Sequence, residues 1–158
     1  MSVPGNSESV EADAATEAAL GRAAEAIWVA AQKASWSSLV LVPAEPSLST
    51  AALAAAVAAV GSVQRGEPVE RLDLEGLPLA RSRSVAETLA DETSPYRRVA
   101  SLDCPTESST ALLLASAAGA AVLVLQLEQT TMASARRVTE LIGPDRFIGA
   151  VLLRPPVA

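Results

Sequence analysis

A chain of 158 residues, half of them hydrophobic, is long enough for one domain with its own core. Its single cysteine excludes an internal disulfide, and its lack of histidine excludes Ser–His–Asp catalysis, Cys–His catalysis and histidine-based zinc sites within the chain. A net charge of −6 argues against nucleic acid or an anionic membrane surface as an electrostatic partner.

Residues 1–12 are rich in Ser, Gly, Pro and Glu without periodicity, the composition of a disordered tail, so the folded domain is expected over 13–158. Glu8, Glu11, Asp13 and Glu17 precede the first basic residue after the start, Arg22, which is the wrong charge for a secretion signal. A helix is predicted over 14–34, where Leu20, Ala24, Ile27 and Ala31 recur at helical spacing and Trp28 and Trp36 mark its packing face and its exit. Residues 37–42 form a short apolar run that stops at Pro43, the length of a buried strand. Thr50 stands as the N-cap of a helix whose stripe is Leu53, Ala56, Val57 and Val60, with Gly61 as its stop.

A second strand is predicted over 69–74, with Asp73 and Glu75 at its C-terminal end. A loop over 76–84 and a short helix over 85–91 follow, ended by Pro95. Residues 98–102 read as a third strand closed by Asp103-Cys104-Pro105, 109–118 as a helix, and 121–127 as a fourth strand of nearly pure Val and Leu. The apolar stretch over 111–127 is interrupted by Ser116, Gly119 and Gln126 and is shorter than the about 20 residues a membrane span needs. Thr131 caps a helix carrying Met132, Ala135, Val138 and Ile142 that stops at Gly143-Pro144, and 147–153 is the last strand. The expectation is a soluble, cytoplasmic protein.

Strands that are continuously apolar and alternate with helices imply a parallel sheet covered on both faces. In such sheets ligands sit at the C-terminal strand ends, where 43–50, Asp73, Glu75 and Asp103 all fall. A strand–loop–helix that wraps a phosphate needs glycines and a lysine. The loop Pro43-Ala44-Glu45-Pro46-Ser47-Leu48-Ser49-Thr50 has neither, and Lys33 is the only lysine in the chain. It reads as an ordinary strand-to-helix connection, with Glu45 adding a negative charge where a phosphate needs donors. For Asp73, Glu75 and Asp103 a Mg²⁺ site is one reading, because hard cations take carboxylate oxygens. The expectation is the other: helix-capping and turn-forming acids, no bound metal and no cofactor. Cys104 has no histidine to activate it and reads as a small buried hydrophobe. The pairs Arg97-Arg98 and Arg136-Arg137 read as solvated faces or element flanks.

Several of these residues resemble the MinD/ParA-like P-loop ATPases, in particular the bacterial tyrosine kinases of capsule and exopolysaccharide export. Ala44-Glu45-Pro46 followed by Ser49-Thr50 is similar to that family's S-A-E-P-G-E-G-K-S-T phosphate loop with two residues fewer. The strand over 98–102 with Asp103-Cys104-Pro105 resembles its Walker B strand and D-T-P-P end. Val122-Leu123-Val124, Glu140-Leu141-Ile142-Gly143 and Gly149-Ala150-Val151-Leu152 resemble its final strand–helix–strand. The resemblance implies a three-layer α/β/α fold with a five-stranded, mostly parallel sheet in the order 2-3-1-4-5. It places Asp73 and Glu75 at the family's Walker A′ and second acidic positions and Asp103 at the Walker B aspartate. The Gly-Lys pair is missing, Leu153 stands where the family's adenine-reading asparagine sits, and Tyr96 is the only tyrosine, so the phosphorylated tyrosine tail is missing too.

The reading is a pseudoenzyme: a kinase-like interaction protein of polysaccharide synthesis or export with no catalytic residues. Glu45, Pro46, Ser47, Ser49 and Thr50 remain as a vestigial loop, and Asp73, Glu75 and Asp103 as vestigial carboxylates. The implied partners are a membrane polysaccharide co-polymerase, an active kinase or a second copy, which could recruit the protein to the inner membrane face without insertion. Two alternatives stand beside it: a MinD/ParA-like positioning or pilus-assembly adaptor, and a divergent ATPase completed by a partner subunit. Self-association is expected through the helix over 14–34 or the surface over 76–94.

Overall fold

The computed structural model describes residues 6–154, with side chains described over 16–154. Five parallel strands, β1 (Ser38–Pro43), β2 (Glu70–Asp73), β3 (Arg98–Ser101), β4 (Ala120–Gln126) and β5 (Phe147–Leu153), form one sheet in the order β2-β3-β1-β4-β5. The strands and parallel α/β arrangement are those expected from the sequence pattern, and the three-layer order β2-β3-β1-β4-β5 is the one the family resemblance implied. Helices α1 (Asn6–Ala31) and α2 (Ala51–Arg65) cover one face, and α3 (Leu79–Ala90), α4 (Ser109–Ala117) and α5 (Met132–Ile142) the other. Of the tail expected over 1–12, residues 1–5 lie outside the described residues, and the helix begins at Asn6. Among the described residues no helix is long and apolar enough to cross a membrane.

Alternation along β1 explains why a six-residue apolar run must be a strand here. Leu39 and Leu41 point into the layer with Ile27, Trp28, Leu53 and Val57, while Val40 and Val42 point into the layer with Leu89, Leu114 and Val138. Every residue of β1 is buried, as a central strand covered on both faces requires. Leu39 pairs with Val99 on one side and Ala120 on the other, so the three inner strands start level. The helical stripe of Ala24, Ile27 and Ala31 packs inward with α2 residues instead of facing solvent.

Three local readings are corrected. The helix does not stop at Gly61 but runs to Arg65, where Gly66 takes the left-handed conformation (φ 67°) and its N–H returns to the Ser62 carbonyl. Gly61 is glycine because a Cβ there would lie 2.6 Å from the Trp28 ring. The expected loop over 76–84 is half helix: α3 starts at Leu79 because the serine hydroxyls are satisfied internally, Ser82 donating to Leu79 O (2.6 Å) and Ser84 to Arg81 O (3.1 Å). Thr50 occupies the N-cap position of α2 but its hydroxyl does not cap the helix, donating instead to Leu41 O at 3.1 Å. The expected cap at Thr131 does form, its hydroxyl accepting from the Ser134 amide, and Ser108 caps α4 in the same way, accepting from the Ala111 amide.

Candidate functional site

The C-terminal edge of the sheet gathers the residues that sequence reasoning singled out. Pro43 ends β1, and the amide of Ala44 makes one more bond to Val124 O (2.9 Å), which steers the loop toward the end of β4. Glu45 is half-buried, Pro46 and Ser47 are exposed at the rim, and Thr50 is fully buried. Burial of Thr50 follows from its hydroxyl bond to the β1 backbone, which ties the start of α2 to the central strand.

Glu75 reaches this helix start from the end of β2. Its carboxylate accepts the Ser49 hydroxyl at 2.8 and 3.1 Å and the Thr50 amide at 3.1 Å. The Ser49 oxygen in turn accepts from the Ala51 amide (3.3 Å). A helix N-terminus carries partial positive charge and free N–H groups, the features that attract a phosphate. At α2 the Glu75 carboxylate takes the amide of the N-cap residue, Thr50, while the Ser49 oxygen takes that of Ala51. It is one half of a capping box supplied from across the fold: the acid reaches the N-cap amide, as one at the position of Leu53 would, but the Thr50 hydroxyl goes to Leu41 O instead of to the helix.

The other carboxylates are engaged in the same way. Asp73 accepts from the Ser101 hydroxyl (3.1 Å) and the Glu75 amide (3.3 Å), and Arg71 stands 4.0 Å from its second oxygen. Asp103 accepts from the Gly76 amide at 2.7 Å, the shortest of these bonds to a backbone N–H. Gly76 adopts φ 72°, which lets the turn after β2 present that amide. On the far side of the loop, Glu45 accepts the Thr130 hydroxyl (3.1 Å), whose oxygen accepts from the Gln126 amide (2.9 Å). Each of the four acids is thus a staple between two elements: β2 to α2, β2 to β3, β3 to the turn after β2, and the loop to the end of β4.

The structure therefore brings Ser49, Thr50, Asp73, Glu75 and Asp103 together, with Glu45 directed to the other flank. Among the described residues no three of His, Cys, Asp and Glu stand close enough to hold a metal ion. Cys104 is buried in the core, and its Sγ shares a hydrogen bond with the Thr106 hydroxyl (3.1 Å). Sequence reasoning missed Thr130 as the Glu45 partner and Gly76 as the Asp103 donor. Glycine among loop residues after a strand was the one available signal for the second. Leu153, at the position of an adenine contact in the resembled family, is partly buried in the layer with α1 and α2, and its carbonyl accepts the Leu127 amide (2.8 Å). No protein-family model matches the chain, and no curated protein matches it.

Proposed function

We propose that this chain is a non-catalytic member of the P-loop ATPase architecture that works through protein contacts rather than through a nucleotide. The observation that carries the reading is the Glu75 carboxylate seated on Ser49 and the Thr50 amide at the start of α2. A phosphate entering there would have to displace an internal anion and then sit beside Asp73 and Asp103 with no lysine in the loop to offset them. Phosphate recognition needs convergent donors. At this edge the chain's own acids accept from them.

The setting of polysaccharide synthesis or export rests on the loop, Walker B and final strand–helix–strand resemblances alone. In that setting the protein acts on the cytoplasmic side, drawn to the inner membrane face by a co-polymerase or an active kinase. Affinity capture from the native cell with mass spectrometry tests the reading. Recovery of an export co-polymerase or its kinase, unchanged by Asp103→Ala, is the expected result. Recovery of polar-landmark or pilus machinery would favour the positioning adaptor, and transfer of labelled phosphate from ATP onto the chain would overturn the non-catalytic reading.

A further inference from the structure

The opposite end of the sheet, where the helices end and the strands begin, holds a cleft of about 720 Å³. In a chain whose net charge is −6, its wall brings together Arg65, Arg97 and Arg146, with Glu92 as the one acid. Helix C-termini also face this end, and their partial negative charge gives arginines an ordinary structural role there. That role is largely filled: Arg146 donates to Ala118 O (2.8 Å) beyond α4, and Ser38 and Ser37 donate to Leu89 O and Asp91 O at the end of α3. Arg65, in the last turn of α2, also pairs with Glu67 at 3.4 Å on a solvent-exposed surface.

Arg97 is the surplus charge. Its guanidinium carbon lies over the Trp36 ring, 4.7 Å from its centre, and 6.0 Å from that of Trp28; one guanidinium nitrogen, Nη1, is enclosed without a partner, and the side chain makes no hydrogen bond among the described residues. It makes no ion pair among the described residues. Burial and the nearby Arg65 both lower its pKa, the mark of a cation short of a counter-charge. The ring contact accounts for where the charge sits but spends none of its donors, and a planar guanidinium fork grips a carboxylate or phosphate with two bonds.

We propose that this cleft binds a small molecule through an oxyanion group, held by Arg97 on its tryptophan platform with Arg65 and Arg146 on either side. The cleft is larger than one phosphate and includes Leu89, Pro95 and Ala117, so the anion is carried on a larger, partly apolar body. The site lies at the reverse end of the sheet from the loop at Glu75 and does not depend on that loop being inactive.

Trp28 and Trp36 are the only tryptophans, and both contact Arg97, so their emission reports the site directly. The full chain is titrated with pyrophosphate and, separately, with citrate, at constant ionic strength. A saturable change with either anion supports the proposal; pyrophosphate alone assigns a phosphate ligand and citrate alone a carboxylate. Arg97→Lys keeps the charge but loses the fork and should weaken binding by about tenfold or more, the worth of one charged hydrogen bond. Arg146→Gln, away from the ring stack, should weaken it as well, and exposed Arg83→Gln should not. The absence of a saturable change with both anions up to about 10 mM, well above a millimolar Kd, would overturn the proposal. So would equal responses from the wild type and from Arg97→Lys and Arg146→Gln.

Discussion

Glu75 and Ser38 show what single polar side chains do in a core made of Ala, Leu and Val. Glu75 supplies the acceptor that α2 lacks in its own first turn, so Glu75→Ala should cost about 0.5–2 kcal/mol, the usual range for a lost N-cap. Thermal melts should show the loss, and a melt equal to wild type would mean the contact contributes nothing. Ser38 is buried on β1, donates to Leu89 O and accepts the Gly119 amide at 3.0 Å. Ser38→Ala would leave the Leu89 carbonyl, on a residue 1 % exposed, without its donor, at about 1–3 kcal/mol. Denaturant unfolding should place its midpoint clearly below wild type. The sequence made the carboxylates at the strand ends visible, because apolar strands stop at them. It did not make their partners visible: Glu75 meets Ser49 and Thr50, and Glu45 meets Thr130, only once sheet order has brought distant segments side by side.

At the scale of elements, strand identity was legible and helix length was not. Buried parallel strands are runs of Val, Leu and Ala with little else, so β1 and β4 are legible from composition, and the edge strand β5, none of whose residues is fully buried, from its short apolar run alone. Glycine and serine mislead in the helices, since each has a use inside a helix that only packing reveals. Gly61 lets α2 pass close to the Trp28 ring, and Ser82 turns its hydroxyl onto its own helix. Alanine normally improves a helix over glycine by about 1 kcal/mol. At Gly61 the new methyl would lie 2.6 Å from a tryptophan atom whose residue is 3 % exposed. Overpacking of this kind costs about 1–3 kcal/mol, so Gly61→Ala should destabilise rather than stabilise. A melting temperature raised by the substitution would show that α1 can slide away from α2.

Across the whole molecule the two ends of the sheet differ in sign. The C-terminal edge, where ligands of this architecture ordinarily bind, is acidic and hydrogen-bonded to itself through Glu45, Asp73, Glu75 and Asp103. The N-terminal edge holds Arg97 without a counter-ion. The apolar stripe of α1 that sequence periodicity offered to a partner is used inside the molecule, against α2 and the sheet. At the start of α2, where this architecture would seat a phosphate, the Glu75 carboxylate holds the Ser49 hydroxyl and the Thr50 amide, and no lysine or glycine lies in the loop. Loss of two or three charged hydrogen bonds, each about 1.5–3 kcal/mol, lowers nucleotide affinity by several orders of magnitude. Titration calorimetry of the full chain with Mg·ATP tests this most directly. No saturable heat is expected at millimolar nucleotide, and a one-to-one site of micromolar affinity would contradict the non-catalytic reading.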